Sequence, residues 1–277
     1  MKSGLIFGAI MPHGGMIPEI AGTDREIMAP LHEMCSRLGS ECSDASPQTV
    51  IVITPHGHCQ PDAFTVALAS TARGKLSGTD GKIESQFEMD VDLAKEIVKQ
   101  CQNEDLPIRS VVPVNMDETL APLDMDWGAY IPLWYCGANF TPPPRVVVCT
   151  PCFGLGLMEH RLFGIAITKA AKVLGRDVAL IASCDWAHAH MEDGPYGFHE
   201  DAKQLDQQVQ AIVRRDSLGE LADLSPDLIE NAKIDGLWPA TILYGALNET
   251  DQDSRLRGNY VGYDRPTYFG MLCAYWK

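Results

Sequence analysis

The chain predicts an α/β fold, one domain over residues 1–277 with a mostly parallel central sheet flanked by helices. Two observations lead there. Strand-type and helix-type segments alternate along the chain. Several strand-type segments, such as Val146-Val147-Val148-Cys149 and Val178-Ala179-Leu180-Ile181-Ala182, are apolar without alternation, the pattern of strands buried on both faces. A chain of 277 residues is long enough to bury such a sheet under two helical layers.

Taken in order, residues 4–10 read as the first strand. Residues 24–38 follow as a helix, capped by Thr23 or Asp24 and stopped at Gly39. Strands are expected over 49–53 and 63–69. A helix over 90–100 puts Val91, Leu93, Ala94, Ile97 and Val98 on one stripe. Residues 104–144, rich in proline and acidic residues with Trp127, Tyr130, Trp134 and Tyr135 interleaved, read as a long site-bearing loop. A strand over 145–150, an apolar helix over 157–174 ending at Gly175, and a strand over 177–183 come next. The helix over 202–214 turns Leu205, Val209, Ile212 and Val213 inward. A short apolar helix over 241–247, entered through Trp238-Pro239, and a strand over 271–275 complete the chain. The acidic residues between 216 and 227 read as a solvated helix face.

Composition narrows the function. Hydrophobic content is 45%, charged content 21% and net charge −15. That charge repels a phosphate backbone and no basic cluster interrupts it, so neither nucleic acid nor an anionic membrane surface is an expected partner. No apolar run reaches the ~20 residues of a membrane span, and the N-terminal apolar stretch reads as a strand, not a signal peptide. Nine scattered cysteines form no disulfide framework and fit a reducing cytoplasm. Cys149-Thr150-Pro151-Cys152 has the spacing of a redox pair, with no second pair to complete a zinc site.

One phrase occurs twice. Ile10-Met11-Pro12-His13-Gly14 ends the first strand and Ile53-Thr54-Pro55-His56-Gly57 ends the second. If those strands run the same way, His13 and His56 emerge at one sheet edge, and two converging imidazoles begin a metal site. The bland alternative is a pair of loop histidines without a shared task. A third phrase, Ser183-Cys184-Asp185-Trp186-Ala187-His188-Ala189-His190, also follows a strand and runs into Gly194-Pro195-Tyr196-Gly197. An aspartate three residues before a histidine can orient it for proton transfer. His32, His160 and His199, on or beside helices, and the eleven methionines carry only structural readings.

In this order and spacing, the two Pro-His-Gly phrases and Ser-Cys-Asp-Trp-Ala-His with Gly-Pro-Tyr-Gly resemble the class III extradiol ring-cleaving dioxygenase superfamily. That superfamily includes protocatechuate 4,5-dioxygenase β subunits, 2-aminophenol dioxygenases and Memo-like proteins. The resemblance runs from residue 4 to the Phe269-Gly270-Met271 strand. It implies a non-haem Fe(II) centre in a pocket at the strand ends, held by two histidines and a carboxylate, with an open face for an aromatic substrate and O₂. His13 and His56 match the histidine ligands. Asp235, in Ile234-Asp235-Gly236 ahead of Gly245-Ala246-Leu247, matches the carboxylate, with Glu230 as the alternative. The dioxygenases usually carry Glu there, so Asp235 departs from the pattern; a helix-turn role before Gly236 is its structural alternative. His188 matches the acid–base histidine, oriented by Asp185, with His58 and His190 as supporting donors.

A further departure lies in mid-chain. Where many ring-cleaving members read Asp-His-Gly, this chain reads Asp126-Trp127-Gly128. An indole can stack on a ring but cannot exchange protons. Trp127, Tyr130, Trp134 and Trp186 together predict an apolar, ring-sized pocket. No arginine or lysine near the motifs would pair with a substrate carboxylate. Three readings follow: an extradiol dioxygenase of a catecholic or amino-phenolic compound, a Memo-like metal-binding or redox protein holding copper or a weak metal, and a zinc hydrolase. The resemblance also implies a homo-oligomer or pairing with a second subunit.

Overall fold

The computed structural model describes residues 4–20, 25–115, 120–249 and 256–277. An eight-stranded sheet is made of β1 (Gly4–Met11), β2 (Thr49–Ile53), β3 (Phe64–Ala67), β6 (Ile108–Val111), β8 (Arg145–Thr150), β9 (Asp177–Ser183), β10 (Gly258–Asp264) and β11 (Met271–Trp276). Its order is β10-β11-β1-β9-β2-β8-β3-β6. The four central strands β1, β9, β2 and β8 are mutually parallel. Antiparallel pairs begin where β11 joins β1 and β3 joins β8. A smaller sheet, β5-β4-β7, is built on the hairpin of β4 (Thr71–Gly78) and β5 (Gly81–Glu88), with β7 (Leu123–Asp124) alongside.

The unbroken apolar strands are buried on both faces. In β2, Ile51 and Ile53 enter one core and Val50 and Val52 the other; in β9, Val178, Leu180 and Ala182 oppose Ala179 and Ile181. The first core lies under α2 (Val91–Asn103), α4 (Leu157–Leu174), α5 (Asp201–Arg214), α6 (Pro226–Ala232) and α7 (Leu237–Asn248). The second lies under α1 (Arg25–Ala45) and α3 (Trp127–Tyr135). An irregularity between Leu5 and Phe7 shifts the β1 register and lets Leu5 join the first core while Phe7, Ala9 and Met11 fill the second.

Several sequence expectations need correction. The helix expected to stop at Gly39 continues to Ala45. Gly39 serves proximity instead of termination, since a Cβ there would lie 2.5 Å from the Tyr135 carbonyl oxygen. The expected caps Thr23 and Asp24 lie outside the described residues. The stretch 104–144 is not one loop: it contains β6, β7 and α3. The hairpin of β4 and β5 is absent from the expected elements, because most of its side chains face solvent and its inward positions include the small or polar Ala72, Gly74 and Ser85, so the alternation carries little apolar signal. Asp216 is not solvated but accepts the Trp276 indole N–H at 2.6 Å. α6 and β10 have no counterpart among the expected elements, and α7 starts at Leu237, ahead of the expected 241. Two expected ends agree: α4 ends at Gly175 in the left-handed conformation, φ 63°, and Asp90 caps α2 through the Leu93 N–H. Among the described residues no helix is long and apolar enough to cross a membrane.

Candidate metal centre

Parallel pairing decides what meets at the sheet edge. Met11 pairs with Ser183 and Ile53 with Ala182, so β1, β9 and β2 end level. The residues just beyond them, His13, Asp185 and His56, leave on the same side. Asp235 arrives from the α6–α7 turn. There Lys233 takes the left-handed conformation, φ 57°, and the turn is stitched to the end of β9. The Gly236 N–H donates to the Asp185 carbonyl (2.9 Å) and the Asp185 N–H to Asp235 Oδ1 (3.0 Å). A Cβ on Gly236 would lie 2.8 Å from Cys184 Cβ, so this approach requires glycine.

His13 Nε2 lies 2.9 Å from His56 Nε2 and 3.5 Å from Asp235 Oδ2; His56 Nε2 lies 3.4 Å from the same oxygen. Donors bound at about 2.1 Å to one ion stand roughly 3.0–3.5 Å apart. His13, His56 and Asp235 can therefore hold a metal ion. The hydrogen bonds around them present the right lone pair. The buried Ser183 hydroxyl gives its hydrogen to the Gly128 carbonyl (2.6 Å), so it can only accept from His13 Nδ1–H (2.9 Å). Neutral His13 then keeps its lone pair on Nε2, facing the cluster. His56 is held from behind: its N–H donates to Thr54 Oγ1 (3.2 Å), and the Thr54 hydroxyl donates to Asp126 Oδ1 (2.6 Å). Asp126 also caps α3 through the Ala129 N–H (3.0 Å). Trp127 stacks on the His56 ring at 4.6 Å.

The electrostatics call for a cation. Burial opposes charge on His13, but Asp185 and Asp235 outweigh it and lift the imidazole to about 9. Burial likewise opposes charge on Asp235, yet His13, His56 and His188 hold its carboxyl well below the usual range. Burial raises the Asp185 carboxyl. A divalent ion would replace the His13 proton in this role. The donor set of two imidazoles and one carboxylate fits Fe(II), and equally Zn or Cu.

The remaining expected residues divide. His188 faces the cluster, with Nε2 3.9 Å from Asp235 Oδ2. Its orientation comes from the Lys233 carbonyl, which accepts Nδ1–H at 2.7 Å, and from stacking on Phe269 at 5.4 Å. Asp185, expected to orient His188, lies instead against His13, 3.2 Å from Nε2, and accepts the His13 N–H. His58 lines, together with His56, a cleft of about 250 Å³. His190 is turned away to a buried pair with Asp206 (2.8 Å). Tyr130 is buried beneath Gly74 of β4 and Trp186 lies in the core, so neither lines a pocket. Glu230 is exposed and paired with Lys233, which removes it as the alternative ligand. Cys149 is buried, and burial pushes its thiol up, away from the reactive thiolate a redox pair needs. Sequence reasoning missed Ser183, Thr54, Phe269 and the clamping role of Asp126. Their signals were weak: Thr54 and Ser183 stand at or just past strand ends, Asp126 lies in the Asp126-Trp127-Gly128 phrase and Phe269 in Phe269-Gly270-Met271.

The family model described as the catalytic LigB subunit of aromatic ring-opening dioxygenase matches residues 8–270. Protein CA_C1420 of Clostridium acetobutylicum is 22% identical over 259 residues, which cover 92% of this chain and 54% of that protein. The chain thus spans about half the length of this curated relative. A crystal structure of the uncharacterized protein JW3007 from Escherichia coli K12 superposes with a TM-score of 0.59 at 14% identity, covering 98% of this chain and 99% of that one. It shares the fold.

Proposed function

The chain belongs to the family of the catalytic LigB subunit of aromatic ring-opening dioxygenases, and on that premise we propose that it is an Fe(II)-dependent extradiol dioxygenase of a catecholic or amino-phenolic ring. The observation that carries this reading is the convergence of His13, His56 and Asp235 within 3.5 Å of one another, with His188 facing the same aspartate. Bound iron would supply the site that holds ring oxygens and O₂ together and passes electrons between them. The chain's own residues do the rest. With Nδ1–H committed to the Lys233 carbonyl, His188 offers Nε2 as the base that takes the proton of a ring hydroxyl. Asp235, 3.9 Å away, stabilises the resulting imidazolium, which returns its proton later in the reaction. Phe269 beneath His188 and Trp127 over His56 present flat apolar surfaces to an aromatic ring and keep water off the imidazoles. O₂ and the aromatic compound are the partners of this reading, and an oligomer is its expected assembly.

The test is elemental analysis after anaerobic Fe(II) loading, followed by O₂ uptake with catechols and 2-aminophenols. About one iron per chain, lost in His13→Ala and Asp235→Ala, together with O₂ consumption, supports the assignment. A wild type that retains no iron overturns it. One observation favours a second reading: Trp127, half exposed over His56, stands where the resemblance puts a histidine in many ring-cleaving members. A Memo-like protein that binds copper or another metal without cleaving rings fits that exchange. Retained metal without O₂ uptake on any ring would select it; metal-dependent ester or amide cleavage would select a zinc hydrolase.

A further inference from the structure

The cleft lined by His56 and His58 bears on which ring the site accepts. Of about 250 Å³, it begins at the candidate ligand His56 and has apolar walls of Ala67, Val111, Leu123 and Val148, so it suits the substituent of a ring held at the metal cluster. Its polar groups are mostly committed. Thr65 and Thr150 hydrogen-bond each other at 2.7 Å. Asp124, at the rim, is bound by Arg73 through both Nε and Nη2. On the neighbouring edge Arg109 is bound by Asp62 through both terminal nitrogens, each at 2.7 Å. No lysine or arginine lines the cleft.

Asp126 is different. Its Oδ1 takes the Thr54 hydroxyl and the Ala129 N–H, which leaves Oδ2 at the cleft wall. The residue beside it is Gly57, where a Cβ would lie 3.1 Å from Oδ2 and 2.9 Å from Thr150 Cγ2. The missing side chain keeps the oxygen uncovered. The cleft therefore combines apolar walls, a carboxylate oxygen that accepts no hydrogen bond among the described residues and, beside His56 and His58, no lysine or arginine, in a protein of net charge −15. A ring bearing a carboxylate would enter against that field; a ring bearing a protonated amine would enter with it and meet Asp126.

We propose that the substrates are aromatic diols or amino-phenols whose side chain carries an ammonium group, that carboxylated rings are discriminated against, and that Asp126 Oδ2 sets this selection. The proposal rests on the dioxygenase reading for the ring itself and adds to it the charge of the substituent.

Anaerobic calorimetry of the Fe(II)-loaded protein with three matched catechols separates the two claims. The compounds are 4-ethylcatechol, 3,4-dihydroxyphenethylamine and 3,4-dihydroxyphenylacetate. The expected result is binding of all three rings, with the amine about tenfold or more tighter than the carboxylate. Asp126→Asn retains an oxygen for Thr54 and Ala129 while removing the charge, and is expected to erase most of that ratio. Arg73→Ala, an exposed change that unmasks Asp124, should widen it, and added salt should narrow it in the wild type. If 4-ethylcatechol binds but amine and carboxylate do not differ, or the ratio survives Asp126→Asn, the charge selection is overturned and the dioxygenase reading stands. If no catechol binds, both fall together.

Discussion

Ser183 shows how much a single hydroxyl can decide. It is fully buried between His13 Nδ1 and the Gly128 carbonyl, and its one hydrogen is already given away. Alanine there would remove the acceptor that holds the His13 tautomer and leave a buried carbonyl unpaired. Metal affinity should fall by about 10–100-fold in Ser183→Ala, measured by competition with a chromophoric chelator, while Ser183→Thr should recover part of it. His160 makes the opposite use of an imidazole. Buried on α4, it donates Nδ1–H to the Gly156 carbonyl (2.7 Å) and accepts the Cys152 N–H on Nε2 (3.4 Å), so both nitrogens are used in the neutral form. Burial accordingly lowers its pKa below the ordinary 6.5. The unfolded chain then binds the proton first. This contribution to stability is complete above pH 6.5 and declines as pH falls below it, with a slope of up to about 1.4 kcal/mol per pH unit. Denaturant titrations between pH 7.5 and 5.5 should show that slope in the wild type and a flatter profile in His160→Gln. Equal slopes would remove His160 as the cause.

At the scale of elements, α4 and α7 cross at reciprocal glycines. A Cβ on Gly164 would run into the Ile242 carbonyl and one on Gly245 into the Arg161 carbonyl. Both obstacles are backbone and cannot swing aside. Gly164→Ala should therefore cost about 3 kcal/mol, read as a lower urea midpoint with unchanged m-value. Because α7 follows directly from the Asp235 turn, the same variant should weaken metal binding without touching a ligand. These crossings were hidden in the sequence, where Gly164 and Gly245 are simply glycines inside helices. The legible elements were those with a strong local signature: the apolar β2, β8 and β9, the stripe of α2, and α4 with its terminal glycine. The hairpin of β4 and β5 was not legible, because its inward positions include Gly74 and Ser85, which give the alternation little apolar contrast, and Gly74 is needed only for the close packing over Tyr130. The helix at 127–135 was obscured by Pro132 and by a run of aromatics that resembled a pocket wall. Most of those aromatics pack inward. The pocket expectation failed at Tyr130 and Trp186 because ring content says nothing about which side of a strand end or helix a side chain takes.

At the scale of the whole molecule, the candidate centre joins residues 13, 56 and 235, which only the finished fold brings together. The two histidines could be read from the repeated phrase and the parallel sheet it implied. Asp235 needed the family resemblance, since an Asp-Gly before a helix is otherwise a turn. The distances across the chain carry a thermodynamic consequence. The unfolded chain has no site, so a metal ion binds only the native state, and binding free energy becomes folding free energy. With free metal at a hundredfold excess over its dissociation constant, the gain is about 2.7 kcal/mol. For a chain of this size that corresponds to a rise of roughly 5 °C in Tm. Fe(II), Zn and Cu each satisfy the donor set, so the size of the shift for each ion at equal free concentration also ranks their affinities. Thermal unfolding under anaerobic conditions should show the rise on metal addition, its reversal by EDTA, and its loss in Asp235→Asn, where a neutral amide replaces the carboxylate at nearly the same volume. A shift that persists in Asp235→Asn would mean that the stabilising ion sits elsewhere, and would detach the metal from the residues argued to hold it.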